Sequence, residues 1–86
     1  MSIMAIFANS PFDKEKRIDC KMLKLHSIKN GEICILPNFH NAILEIKDNI
    51  ICIDTNNQQK SIKIHTTGIA QFKDNVFTYF GGFTES

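Results

Sequence analysis

Apolar residues recur at every second position over short stretches of this chain. Ile62 and Ile64 alternate with Lys63 and His65, and Leu23 and Leu25 alternate with Lys24 and His26. A period of two puts one set of side chains on one face of an extended strand and the other set on the opposite face. Ile3 to Ala8 reads as a first strand, and Val76, Phe77, Tyr79 and Phe80 form a β-branched and aromatic run near the other end. No window long enough for a helix carries apolar residues at i, i+3, i+4 and i+7. The charged segment Asp13 to Arg17 is read as a short solvated stretch rather than a helix.

Turn signals separate these runs. They are Asn9-Ser10-Pro11, Lys29-Asn30-Gly31, Lys47-Asp48-Asn49, Thr55 to Lys60, Lys73-Asp74-Asn75 and Gly81-Gly82. Asn and Asp hydrogen-bond to their own backbone and tolerate left-handed conformations, so such clusters reverse a chain at low cost. Short strands between closely spaced turns predict an all-β fold. That pattern leaves a sandwich or a barrel open over residues 1–80, without long helices, followed by a short flexible tail at 81–86. The most informative block, Gly31 to Ile53, reads as strand, contact loop, strand, hairpin and strand. Its Ile46-Lys47-Asp48-Asn49-Ile50 recurs as Phe72-Lys73-Asp74-Asn75-Val76, which predicts two similar hairpins.

Composition narrows the function classes. The 86 residues suit one domain, and 43% hydrophobic with 22% charged residues is enough for one core. The net charge is +1 and Arg17 is the only arginine, so nothing resembles a basic stripe for phosphate backbones. That points to a protein partner and away from nucleic acid. No apolar run approaches the roughly 20 residues that span a bilayer, so no direct membrane insertion is expected. The N-terminus lacks an early positive charge and its apolar stretch is too short for a secretory signal. Cys20, Cys34 and Cys52 are odd in number and contain no C-x-x-C, which fits small hydrophobes kept reduced.

Catalytic motifs are absent: there is no G-x-S-x-G, no H-E-x-x-H, no phosphate-binding glycine loop and no dinucleotide fingerprint. No catalytic residue, metal ligand set or cofactor is expected. His26 and His65 fall on polar strand positions, and Glu45 points outward between Leu44 and Ile46. Glu32 beside Gly31 is a charge at a sharp turn, suited to a partner contact or simply to solvent. Phe39 places an aromatic in the polar loop Asn38 to Asn41. It reads either as an interface anchor or as a cover for the edge of the core.

The block from Gly31 to Ile53 resembles the Gly-Glu-Leu-Gly-Ile-Leu-Pro-Gly-His-Ala-Pro region of the epsilon subunit of F-type ATP synthases. Gly31, Glu32, Ile35, Leu36, Pro37, Ile46 and Lys47 carry the likeness. Ser10-Pro11, Cys20 to Leu23, Thr67-Gly68-Ile69 and Lys73 to Val76 extend it over most of the chain. The sequence departs at Cys34, where the family has glycine, and at Asn38 to Asn41, where it has Gly-His-Ala-Pro. Asp48-Asn49 stands for Pro-Gly. Family members continue into a mobile C-terminal helical hairpin that restrains ATP hydrolysis. This chain ends where the β pattern is complete, which implies either a subunit without that brake or a trimmed one.

The resemblance implies a small two-sheet β-sandwich, and a non-catalytic central-stalk subunit that clamps the gamma subunit to the membrane rotor ring, at the cytoplasmic face of a bacterial inner membrane. It implies Gly31 and Glu32 on the ring side, and Pro37, Asn38, Phe39 and His40 on the gamma side. Two other readings stand beside it. One is a small β-barrel module binding nucleic acid or oligosaccharide. The other is a metal-dependent enzyme built on Cys20, His40 and Cys52.

Overall fold

The computed structural model of the protein describes residues 1–9 and 14–85. Seven strands occur among them: β1 (Ile3–Ala8), β2 (Lys16–Ser27), β3 (Gly31–Ile35), β4 (Ala42–Asp54), β5 (Gln59–Lys73), β6 (Val76–Phe80) and β7 (Phe83–Glu85). The described residues contain no helix. Alternation decides which way each strand faces. Ile3, Ala5 and Phe7 of β1, Leu23 and Leu25 of β2, Ile62 and Ile64 of β5, and Phe77 and Tyr79 of β6 all turn into one core.

The strands do not form the expected two-sheet sandwich. Hydrogen bonding runs β1-β6-β5-β4-β2 and returns to β1, closing a five-stranded barrel. β1 lies antiparallel to β2, from Ile3 opposite Cys20 to Phe7 opposite Lys16. It lies parallel to β6, from Met4 opposite Val76 to Ala8 opposite Phe80. The long strands permit this closure. β2, β4 and β5 have 12, 13 and 15 residues, enough to bend and to pair with different neighbours along their length. Closure also removes the unpaired backbone edges that two open sheets would leave on β1 and β6. β3 and β7 lie outside the ring, β3 along the second half of β2 and β7 along the first half of β5.

Two irregularities do the bending. In β2 the inward residues are Ile18 and Cys20, then Leu23 and Leu25. That change of parity coincides with a register shift between Cys20 and Met22, where one extra residue restores the inward face. In β4 the irregularity is Lys47-Asp48-Asn49, expected to be a hairpin and found to be a bend. Asp48 alone takes a left-handed conformation (φ 66°). Both halves of β4 stay on β5, Ala42 to Lys47 opposite Phe72 to Thr67, and Asn49 to Ile53 opposite Lys63 to Gln59. One left-handed residue kinks a strand without reversing it. The matching Lys73-Asp74-Asn75 does make a hairpin. There Asp74 (φ 51°) and Asn75 (φ 64°) are both left-handed, as a tight two-residue turn needs.

Other expectations are revised at the ends. Lys16 and Arg17 open β2, so the charged stretch runs into a strand. The Ser10-Pro11 turn lies outside the described residues. A flexible tail was expected from residue 81, yet Phe83 to Glu85 pair with Ile64 to Ile62 as β7. Lys16 of β2 forms an ion pair with Glu85, and His65 of β5 contacts Thr84.

β7 is held by aromatic packing. Phe7 sits with its ring centre 6.2 Å from Phe77, 6.1 Å from Tyr79 and 5.8 Å from Phe83. The Tyr79 hydroxyl donates to the Gly82 carbonyl at 3.2 Å. Its ring lies across Gly68, where an added Cβ would meet the Tyr79 oxygen at 2.2 Å. Glycine at 68 is therefore a requirement of space.

A second tie positions the loop after β3. The Asn38 backbone N–H donates to Asn75 Oδ1 at 2.6 Å, and Asn75 Nδ2 donates to Asn38 Oδ1 at 3.2 Å. Asn75 also accepts the Met4 backbone N–H on its own carbonyl at 3.0 Å. The β5–β6 turn, the start of β1 and the loop after β3 thus meet at one asparagine.

Gly68→Ala is expected to lower unfolding free energy by about 2 kcal/mol, the range for overpacking a rigid core, as read by chemical denaturation. A loss under about 0.5 kcal/mol would show that Tyr79 moves aside freely. Asn75→Gly keeps the left-handed turn but removes the side-chain tie. It should cost about 1 kcal/mol and speed hydrogen exchange at the Asn38 amide without touching core amides.

Candidate partner-binding surface

β3 separates two of the predicted contact sites. At its start, the turn after β2 is fixed by Ser27, whose buried hydroxyl accepts the Asn30 N–H at 3.2 Å. The Ile28 N–H reaches the Glu45 carbonyl at 2.9 Å. Gly31 then takes φ +73°, with nothing within 4 Å of the place a Cβ would occupy. Backbone conformation, not space, selects glycine here. Glu32 is exposed, opposite His26 on β2, and makes no ion pair among the described residues.

At the other end of β3, a tight turn links the Phe39 N–H to the Leu36 carbonyl at 3.1 Å, with Asn38 left-handed (φ 69°). Phe39 does not stand out as a free anchor. It is partly buried and packs edge-on against Phe72 with ring centres 5.9 Å apart. His40 is exposed and stacks on Phe39 at 4.2 Å. Pro37 is half-buried and Leu36 is exposed. Thus Gly31 and Glu32 lie at one end of a five-residue strand, and Pro37, Asn38, Phe39 and His40 beyond the other. At about 3.3 Å per residue, that strand holds them roughly 16 Å apart.

A third surface was not anticipated. Ile43 on β4, Ile69 on β5 and Phe80 on β6 point away from the core, with 76%, 56% and 48% of their surface exposed. Ile69 stands opposite Phe80 on one side and Glu45 on the other, and Ile43 is its diagonal neighbour through Gln71. Ile28 borders the same strip. Ile28, Ile43, Leu44, Glu45 and Ile69 line a cleft of about 240 Å³. A row of large apolar side chains across three neighbouring strands is the kind of patch that a partner protein covers. The sequence did hold a signal. Ile43 and Leu44 are adjacent apolar residues, as are Ile69 and Ala70, and in an alternating strand one member of each pair must face outward.

Among the described residues no group of three or more His, Cys, Asp or Glu side chains could hold a metal ion. Cys20 and Cys52 are in the core, whereas His40 is in an exposed loop, so the three residues of the metal reading are not brought together. His26, Asp48, Asn49, Ser61 and Lys63 border a shallow polar hollow where β4 bends. The aromatic rings that would stack nucleobases are mostly interior: Phe7, Phe72, Phe77 and Tyr79 are fully buried. Burial also raises the pKa of the Tyr79 hydroxyl. No helix among the described residues is long and apolar enough to cross a membrane.

No family model matches the sequence, and no curated protein does. The fold itself has a solved counterpart. A chain in the cryo-EM structure of the Euglena gracilis mitochondrial ATP synthase, OSCP/F1/c-ring in rotational state 1, superposes with a TM-score of 0.84 at 12% identity. The match covers 98% of this chain and 53% of that one, so this chain spans about half the length of its structural counterpart. At that identity the two share a fold.

Proposed function

We propose that the protein is a non-catalytic central-stalk subunit of a proton-translocating F-type ATP synthase, of the epsilon kind. In this reading it binds the gamma subunit and the membrane rotor ring and transmits torque between them. It would sit peripherally at the cytoplasmic face of a bacterial inner membrane. The observation that carries the reading is the uncovered strip of Ile43, Ile69 and Phe80 on a fold shared with a chain of an ATP synthase. The Gly31 to Ile53 resemblance supports it from the sequence side.

The mechanism is mechanical. A coupling part must resist deformation and present separate surfaces to two partners. A closed ring of hydrogen-bonded strands around a packed aromatic core supplies stiffness. Gly31 and Glu32 offer a charged turn to the polar loops of the ring. The apolar strip and the loop of Pro37, Asn38, Phe39 and His40 face gamma, with Phe39 acting as a brace beneath His40.

Closure into a five-stranded barrel also fits the module that binds nucleic acid or oligosaccharide. That reading requires salt-sensitive binding of short oligonucleotides, which the stalk reading does not.

Mixed with its cognate gamma subunit at micromolar concentration, the chain should elute as a stable complex in size-exclusion chromatography. Ile69→Glu places a charge in the apolar strip and is expected to weaken that complex by at least about tenfold, because burying an exposed isoleucine is worth more than the 1.4 kcal/mol this represents. Its unfolding midpoint should stay near wild type, since Ile69 is outside the core. Glu32→Lys should leave gamma binding intact and reduce retention of the ring. Absence of any complex with gamma would remove the proposal.

A further inference from the structure

Asparagine is a thermally labile residue, and the fold exposes one of them in a reactive setting. Eight asparagines occur in the chain, and Asn30, in the turn between β2 and β3, is the one followed by glycine. The nitrogen of the next peptide bond is the nucleophile that attacks an asparagine carboxamide. A side chain on that next residue shields it. Gly31 has no side chain, and nothing lies within 4 Å of the place a Cβ would occupy. Asn30 and Gly31 are both exposed.

Hydrogen bonding separates the asparagines further. Asn38 and Asn75 are joined through their carboxamides, Asn9 Oδ1 accepts the Phe83 N–H at 3.3 Å, and Asn57 Oδ1 accepts from Lys21. Asn30 is held through its main chain, whose N–H donates to Ser27 Oγ at 3.2 Å. Its carboxamide makes no hydrogen bond among the described residues and can swing toward the Gly31 nitrogen. We propose that Asn30 is a site of spontaneous deamidation, passing through a cyclic imide with Gly31 to aspartate and isoaspartate in the unassembled chain.

The chemistry needs water alone. Base removes the proton of the Gly31 N–H, and the nitrogen attacks Asn30 Cγ. The N–C bond forms, the tetrahedral carbon expels ammonia, and a five-membered imide closes. Water then opens the ring. Attack at Cγ returns the original main chain and leaves aspartate. Attack at the main-chain carbonyl carbon leaves isoaspartate. Nothing is oxidised or reduced: one amide and one water become one carboxylic acid and one ammonia.

Two physical changes follow. The formal net charge falls from +1 to zero, and the new carboxylate stands two residues from Glu32. In isoaspartate the main chain also runs through the former side chain and is one methylene longer. That insertion falls beside the Ser27–Gly31 pair, which ends the β2–β3 ladder. The chemistry does not depend on the stalk role, because it concerns the isolated chain.

The test ages the full chain in mildly alkaline buffer at body temperature and reads its digest by mass spectrometry. The peptide holding Asn30 should gain the mass of an amide-to-acid exchange and resolve into two products. The isoaspartyl product should accept a methyl group from a protein isoaspartyl methyltransferase, and the other asparagines should keep their amides. Conversion should quicken as pH rises, because the Gly31 nitrogen must lose its proton. On ion exchange the aged protein should develop an acidic species that elutes with Asn30→Asp, whereas Asn30→Gln, whose longer side chain closes a less favourable ring, should develop none. An Asn30 that stays intact in the folded chain would overturn the proposal, and conversion of the same chain in urea would then show that the fold shields it. Earlier conversion of any other asparagine would overturn it as well.

Discussion

Closure of the ring by β1 is the constraint on which the rest of the structure depends. Six residues, Ile3 to Ala8, join β2 on one side and β6 on the other. Without them the remaining strands are an open, bent sheet with two bare edges. Their inward side chains also fill the centre. Phe7 contacts Phe77, Tyr79 and Phe83, so the same strand that seals the backbone seam organises the aromatic core. Met4 ties into the Asn75 junction that fixes the loop after β3, and Ile3 covers Cys20. Stability, loop position and thiol environment therefore meet in one strand.

Much of the fold was legible because alternation is a direct consequence of strand geometry. Leu23, Leu25, Ile62, Ile64, Phe77 and Tyr79 face inward as their spacing required. What escaped was decided by pairing at a distance. Lys47-Asp48-Asn49 and Lys73-Asp74-Asn75 share one local sequence, yet only the second reverses the chain. Neighbours decide the matter: β4 continues along β5 past Asp48, and no local preference records that. Barrel against sandwich is a similar case, since it turns on whether β1 reaches both β2 and β6. Gly81-Gly82 looked like a frayed end, but Phe83 finds Phe7 and Tyr79, and packing orders the segment.

The candidate site was partly legible. The Gly31-Glu32 turn and the Pro37 to His40 loop stood out as polar breaks in apolar runs, and they occupy opposite ends of β3. Phe39 was left open between anchor and cover, and it packs on Phe72 as a cover. The strip of Ile43, Ile69 and Phe80 was missed because each member looks like an ordinary strand residue. Only the register across β4, β5 and β6 assembles them.

Together these features describe a closed barrel with an uncovered apolar strip and two exposed turns, the surfaces on which the proposed stalk role rests. Chemistry-bearing groups are scattered or interior, whereas the apolar strip and the two turns lie on the outside. The most direct test is covalent side-chain footprinting of the chain alone and with its cognate gamma subunit. The account predicts that labelling of Ile43, Ile69, Phe80 and His40 falls on complex formation while Glu32 keeps its reactivity. Unchanged labelling of Ile43, Ile69 and Phe80 in a formed complex would contradict it.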